Sequence, residues 1–302
     1  MKKYFKLLFL FFFLFILIKI ILNSNEYIDC VQVSIIFWKN RIITTIFPFL
    51  LLSDFLINYG FIDIINFLFG NIFKFFFNVN GNVAYIFFMS MISGFPSSAI
   101  YINDLYQKNL ISYESANKAL ILCHFSNPLF IIGFIGSIIG YKYAYYILII
   151  HYLTAIIVGL LFRNLDNGKE IKIKFDCKSF GYILKNSIKK GIDSILLILG
   201  TIIFFNIVTK TLDYIDFPVF FQYIFNMFLE LSNGINFVLN NFDYKYACLF
   251  ISMILSFGGL CVHCQIISIM ENSNIKYQNY LISRIIASLI SGILVLLTFN
   301  LL

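Results

Sequence analysis

Charge is what this 302-residue chain has least of: 12% of its residues are Asp, Glu, Lys or Arg, where a soluble domain carries about 25%. With 60% hydrophobic residues and a mean hydropathy of +0.88, a soluble globular fold is excluded. The sequence also lacks ten-residue stretches of alternating polarity, which excludes a transmembrane barrel. It has three His, no nucleophile elbow, no phosphate loop and no zinc-protease pair, so it offers no catalytic constellation and is not expected to be an enzyme. Four of the six cysteines (Cys30, Cys123, Cys177, Cys248, Cys261 and Cys264) sit in apolar segments, and the six form no secreted disulfide framework. One Trp stands against 38 Phe and 19 Tyr, beside abundant Lys, Asn and Ile. That is the bias of an AT-rich genome, and Phe is ordinary lipid-facing material, so aromatic density marks no binding site.

What remains is an all-α polytopic membrane protein. Residues 5–22 follow Lys2, Lys3 and Lys6 and read as an anchor helix with its N-terminus inside, since no small-residue cleavage site follows as a signal peptide would need. Further spans are expected at 42–59, 115–140, 143–162, 191–209 and 279–302, with interfacial stretches at 61–77 and 214–240. Eight of the 22 basic residues, from Arg163 through Lys169, Lys172, Lys174, Lys178, Lys185 and Lys189 to Lys190, fall in one loop. The positive-inside rule makes that loop cytoplasmic. It is short, lies between spans and lacks interleaved aromatics, so nucleic acid is not a partner.

Two apolar runs carry helix-breaking insertions. Gly94-Phe-Pro-Ser-Ser-Ala99 interrupts 83–107, and Gly258-Gly-Leu-Cys-Val-His263 interrupts 245–270. Lipid cannot satisfy a broken backbone, so such breaks persist only where protein buries them or where they line a wet cavity. Both runs read as re-entrant hairpins, and Ser126-Asn-Pro128 breaks a span between them. The order span, interfacial stretch, hairpin, span recurs in the second half. Gly70 precedes Gly94 by the same 24 positions that separate Gly234 from Gly258. Counting crossings from an inside N-terminus inverts one half relative to the other and puts both termini and loop 163–190 in the cytoplasm. The expected fold is therefore about six transmembrane helices plus two re-entrant hairpins in two inverted repeats, divided as anchor 1–30, first repeat 31–163, basic loop 164–190 and second repeat 191–302.

The breaks supply the candidate solute-binding residues: Gly94, Pro96, Ser97 and Ser98 at the first, Asn127 and Pro128 in the broken span, Gly258, Gly259 and Gln265 at the second. The serines offer hydroxyls to a polar solute, or alternatively cap their own half-helices. Asp54, an acid inside a span, is the candidate ion-coupling group, or else snorkels to the cytoplasmic end. Glu230, followed by Asn233-Gly234, is the other acid in an apolar setting. Cys261-Val-His-Cys264 with Cys123-His124 invites a metal reading. No second closely spaced Cys pair exists and Cys serves as a small buried residue, so neither a metal nor a cofactor is expected. His151 reads as a packed helix residue.

Pro48-Phe, Gly94-Phe-Pro-Ser-Ser-Ala, Leu105-Tyr-Gln-Lys with Glu114, Cys123 with Asn127-Pro-Leu-Phe-Ile-Ile-Gly133, Phe257-Gly-Gly-Leu-Cys-Val-His-Cys-Gln265 and Arg284 together resemble the YlbJ-type sporulation integral membrane proteins, over about residues 30–302. That group belongs to the nucleoside-recognition or Gate proteins. Phe95, Ser98, Asn127, Cys261 and Cys264 depart from the usual residues of its motifs. The resemblance implies the cell membrane of an endospore-forming bacterium and a role in spore cortex formation. By analogy with nucleoside transporters, it makes Glu230 the ligand-binding carboxylate, with Asn233 beside it. The expected function is a permease for a small polar solute held at two hairpin tips, with the bilayer as surroundings and a homo-oligomer as an assembly its Gly133-x-x-Gly136 and Gly136-x-x-x-Gly140 spacing would serve. The alternatives are a non-transporting scaffold for cortex or coat assembly, working through the basic loop, and a divalent metal gate.

Overall fold

The structure, a computed structural model, describes residues 2–165, 179–273 and 275–302. Among these residues the chain is helical throughout, with no strand. Five helical stretches are long and apolar enough to cross a membrane: Ser24–Asn58, Tyr141–Leu161, Phe180–Leu212, Tyr244–Ile269 and Tyr277–Leu301. The all-α polytopic expectation holds.

The longest helix, α10 (Phe180–Leu212, 33 residues), is about 50 Å long at 1.5 Å per residue and serves as the ruler of the bundle. Helix α1 (Lys2–Leu22) runs parallel to it, with Phe13 on Phe204 at 6.3 Å and Lys19 over the Tyr214 ring at 4.3 Å. Helix α2 (Ser24–Phe37) continues through a π-helical turn, Trp38–Ile43, into α3 (Thr44–Asn58). This run is antiparallel to α10: Tyr27 bonds Thr211 (2.8 Å), Trp38 Nε1 donates to Ile195 O (2.7 Å), and Ser187 Oγ donates to Asp54 (2.5 Å). The bundle thus has a Tyr214 end and a Lys190 end.

Helix α4 (Phe61–Phe77) starts beside α3 at the Lys190 end and finishes there too, since Lys118 Nζ bonds both Asn78 O and Arg163 O. It lies along the surface, as its amphipathic sequence predicts. Helices α5 (Val83–Ser93) and α6 (Ser97–Gln107) form the first re-entrant hairpin. Its base closes through Asn82 Nδ2 to Leu110 O (2.8 Å), and Asp104 at the foot of α6 meets Lys190 at 2.7 Å. Helix α7 (Tyr113–Leu122) rises from the same end, capped by the Ser112 hydroxyl on Ser115 N. An irregular segment follows, and the chain continues through a π turn (Phe130–Ile135) into α8 (Gly136–Ile139). Helix α9 (Tyr141–Leu161) then returns from the Tyr214 end.

The second half corrects the sequence reading. The stretch expected at the interface, 214–240, is a hairpin of α11 (Val219–Phe228) and α12 (Leu231–Asn241), turning at Leu229–Glu230. Tyr223 packs on both Phe237 (5.2 Å) and Phe242 (6.2 Å), so the two arms are antiparallel. Its base follows directly from α10, at the Tyr214 end. The stretch expected to be a hairpin, 245–270, is instead a crossing made of α13 (Tyr244–Phe257) and α14 (Gly259–Ile269). Tyr143 stacks on Tyr244 at 5.1 Å, at the Tyr214 end, whereas Lys276, just past α14, bonds Asn117 at the other. The physical reason is the shortness of the break. Two successive glycines of positive φ, Gly258 (99°) and Gly259 (70°), interrupt the helix without turning the chain back. Helix α15 (Tyr277–Thr298) crosses last, and Tyr146 bonds Thr298 at 2.8 Å.

The described chain therefore passes the bundle seven times, and the two hairpins enter from opposite ends of α10. The elements recur as span, hairpin, broken span, span: α2–α3, α5–α6, α7–α8 and α9, then α10, α11–α12, α13–α14 and α15. The extra crossing also corrects the expectation of two cytoplasmic termini: α1 begins at the Lys190 end, whereas Leu302 O accepts from Lys142 at the Tyr214 end. Of the expected basic loop, 166–178 with Lys169, Lys172, Lys174 and Lys178 lies outside the described residues, and 180–190 forms the first turns of α10. A reporter fused after Leu302 should fall on the opposite side of the membrane from one inserted at 166–178. Finding both on one side would overturn the seven-pass trace.

Candidate functional site

Four backbone breaks meet halfway along α10. The first hairpin tip, Gly94–Pro96, lies on the irregular segment His124–Asn127 of the first broken span. Phe95 N–H donates to Phe125 O (2.6 Å), and Asn127 Nδ2 donates to Ser93 O (3.3 Å), the last carbonyl of α5. Asn127 Oδ1 accepts from Leu129 N (2.7 Å) and so caps the half-helix that begins at Pro128. Gly94 is required there: its φ is +77°, and a Cβ would lie 2.5 Å from Asn127 N.

The second half repeats the contact. Cys261 N–H, in the first turn of α14, donates to Leu229 O at the second tip (2.9 Å), and Gly259 (φ +70°) faces the Phe228–Leu231 backbone. Gly258 brings the two broken spans together, since a Cβ on it would lie 2.8 Å from the His124 ring. His151 Nε2 accepts from Ser126 N (2.9 Å) while its Nδ1 faces Ser256 Oγ (3.5 Å). His151 thus packs in the helix as expected and also carries the first break. Arg284, 1% exposed, donates to Ile121 O (2.7 Å) at the C-terminal end of α7, where the helix dipole favours a cation.

Between the breaks lies a cavity of about 70 Å³, lined by both tips, both broken spans, Ile198 and Ile202 of α10, and the π turn of the α2–α3 run. Space for several waters is available on that scale. Ile198 and Ile202 stand about 12 Å along α10 from Lys190 and about 15 Å from Leu212, so the cavity sits near mid-bilayer depth. A larger cavity of about 270 Å³ at the Tyr214 end is lined by Asp213, Asp216 and Gln222, away from every break.

Of the sequence-predicted residues, Pro96, Asn127, Glu230 and Gln265 line the cavity. Gly94, Gly258 and Gly259 shape it through the close backbone approaches above, and Pro128 starts a half-helix at its wall. Ser97 and Ser98 do not line it: both are buried in the first turn of α6, behind the tip. Asn233 stands one step back. Its N–H donates to Glu230 Oε2 (2.9 Å), and its Nδ2 donates to Asn206 Oδ1 (2.7 Å), whose Nδ2 donates in turn to Ser34 Oγ of α2 (2.7 Å). Glu230, with Ser232 Oγ also donating to it, caps α12 and is buried, so the acid both closes its own helix and faces the cavity. Gln265 Nε2 donates to Thr201 of α10 (2.9 Å).

Asp54 lies elsewhere, in a cluster at the Lys190 end where Lys190 and Lys108 lie 3.4 and 3.7 Å from it and each lies 2.7 Å from Asp104. Sequence reasoning missed Arg41, Ser126, Ser232 and Cys261 as lining residues. Arg41 carried a signal: with Lys39 it is one of two cations midway along an apolar run. Ser232 carried none apart from its nearness to Glu230. Among the described residues no three His, Cys, Asp or Glu side chains are placed to hold a metal ion, so the metal-gate alternative finds no ligand set there. Gly136 packs inside the chain, against Ala144 and Tyr141, while Gly133 has open space around it.

The chain is similar to the sporulation integral membrane protein YlbJ of Bacillus subtilis (strain 168), with 23% identity over 95% of this chain and 81% of that protein. The YlbJ-type resemblance read from the motifs holds along nearly the whole chain. No family model matches it, and neither does any solved structure.

Because the tip contacts have no room for a methyl group, Gly94→Ala and Gly234→Ala (Cβ 2.3 Å from Met227 O) should each destabilise the protein by ~2–4 kcal/mol. Gly133→Ala, with nothing within 4 Å, should stay within ~0.5 kcal/mol. Melting temperatures in detergent measure all three, and equal melting would contradict the tip-on-break packing.

Proposed function

We propose that this protein is a sporulation-associated permease that carries a small polar solute across the membrane of an endospore-forming bacterium through the cavity between its two hairpin tips. The observation that carries this reading is the convergence of four backbone breaks on one cavity near mid-depth, with the hairpins entering from opposite ends of α10. Broken helices whose freed backbone groups face a cavity are how transporters present dipoles to a solute. Inverted repeats give such a site two mirror-related routes, one past each hairpin, and rocking of one repeat against the other exchanges them. The cavity polar groups are of the kind that orient a solute: the Asn127 and Gln265 amides, Ser126, Ser232 and the Glu230 carboxylate. A carrier that binds and releases an unchanged solute needs none of the catalytic groups the sequence lacks.

The name of the similar protein supports placing this activity in sporulation, and a contribution to the spore cortex is the finer part of the proposal. Arg163, Lys185, Lys189 and Lys190 gather at one end of the bundle, which the positive-inside rule makes cytoplasmic. The first hairpin then enters from the cytoplasm and the second from outside.

In a protein whose native cysteines are replaced by Ala, Ser232→Cys should react with a small membrane-impermeant thiosulfonate added to either face of sealed vesicles. Reaction from both faces is expected of a site with alternating access. A cysteine protected from both faces would overturn the permease reading in favour of a static scaffold.

A further inference from the structure

Arg41, from the π turn of the α2–α3 run, and Glu230, from the second hairpin tip, are the two charged residues that line the cavity. Neither has an ion-pair partner within 4 Å among the described residues, whose ion pairs involve Asp54, Asp104 or Glu26. Arg41 sits in the π turn of the α2–α3 run, 14 residues from Tyr27 at one end of the bundle and 13 from Asp54 at the other. That puts a guanidinium, two residues after Lys39 in the same turn, about midway along the run, and a charge at such depth in a bilayer is expensive and marks a functional position. Its visible support is the Phe134 ring, 5.5 Å from Cζ, a cation–π contact that leaves the guanidinium hydrogen bonds free for a ligand. π-helical turns recur at functional sites, and this one supplies the exposed Arg41 together with Ile42 to the cavity lining.

The surrounding backbone favours the same sign of ligand near Arg41. The half-helices Pro128–Ile139, α12 and α14 begin at the cavity, so three N-terminal ends face it. Glu230 caps the N-terminus of α12 and lines the same cavity as Arg41. Two groups of opposite charge that line one cavity without pairing with each other are matched by a ligand carrying the complementary dipole. A guanidinium forks onto a carboxylate, and a carboxylate accepts from an ammonium.

We infer that the solute is a compact zwitterion, an amino-acid-like molecule whose carboxylate is read by Arg41 and whose ammonium is read by Glu230. This rests on the solute-cavity reading above and names the class of solute. The cavity of about 70 Å³ restricts it to a short side chain.

The test is thermal stabilisation of the full-length protein in detergent by four probes: L-alanine, propionate, ethylammonium and uridine. Alanine is expected to stabilise at a concentration at least about tenfold lower than either half-molecule, and R41Q and E230Q are each expected to raise that concentration about tenfold or more. R41Q removes no helix cap, so its unliganded melting temperature should match the parent and keeps the test independent of folding. Propionate acting as well as alanine, or R41Q leaving the alanine response unchanged, would overturn the zwitterion assignment. Stabilisation by uridine alone would overturn it as well, while leaving the solute cavity standing. A blank with all four probes overturns the zwitterion too, and the cavity is then judged separately by the two-sided labelling of Ser232→Cys.

Discussion

A backbone group that leaves a helix inside a bilayer has no water to bond, and each one left unpaired costs several kcal/mol. This chain breaks its helices four times near mid-depth and settles the account by making the breaks partners of one another. Phe95 N–H finds Phe125 O, Cys261 N–H finds Leu229 O, the Asn127 amide covers both Ser93 O and Leu129 N, and Ser126 N–H is taken by His151. Arg284 does the same for the carbonyl end of α7. The irregular chain is therefore no loose loop. Each tip is defined by the break beneath it, and moving a hairpin means exchanging those bonds. The cavity is the space the four breaks cannot fill with their own side chains.

Much of this was legible in the sequence. Apolar runs of span length, the Gly-Phe-Pro break, Asn127-Pro128 and the clustered lysines led to the polytopic class, the first hairpin, the first broken span and the idea of two related halves. The second half misled because its signals are weaker and differently placed. Gly258-Gly259 resembles a tip by composition, but a helix can step past two glycines of positive φ and keep its direction. The true tip is Leu229-Glu230, with no Gly or Pro, and its turn is fixed by Glu230 capping α12 and by tertiary contact with α14. Such a turn lies in packing and leaves little local trace. The matching 24-residue glycine spacing was coincidence: Gly70 packs on Asn66 and Gly81, while Gly234 packs on Met227 inside its own hairpin.

Candidate side chains follow the same division. Residues that stand in the breaks, such as Pro96 and Asn127, were readable because composition marks a break. Ser97 and Ser98 share that composition but turn into the protein, since the first residues of α6 wind away from the tip. Arg41, Ile198 and Ile202 come from helices far away in sequence, and only the packing of α2–α3 and α10 against the breaks brings them to the wall. A π turn in an apolar run has no composition of its own, so the position of Arg41 within the run was visible while its direction was not.

The two hairpins are anchored by different physics, and this bears on how the halves can move. The foot of the first is held by Asp104 among Lys108, Lys190 and Asp54, with the lysine side chains 30% and 47% exposed. The lysine ends of these pairs meet water and its salt, while the Asp104 and Asp54 side chains are only 16% and 10% exposed, so a departing lysine leaves a largely buried carboxylate to be met by another cation or by water. The foot of the second is aromatic, with Phe217 on Phe225 at 5.1 Å, Tyr223 on Phe237 and Phe242, and Phe242 on Phe250 at 4.7 Å. Ring packing of that sort is short-ranged and indifferent to salt, and it holds geometry through shape. The inverted halves are alike in backbone plan and unlike in what grips them. A displacement at the Lys190 end trades charges with water, whereas one at the Tyr214 end has to slide rings past one another. The first hairpin is therefore the one whose release depends on ionic conditions.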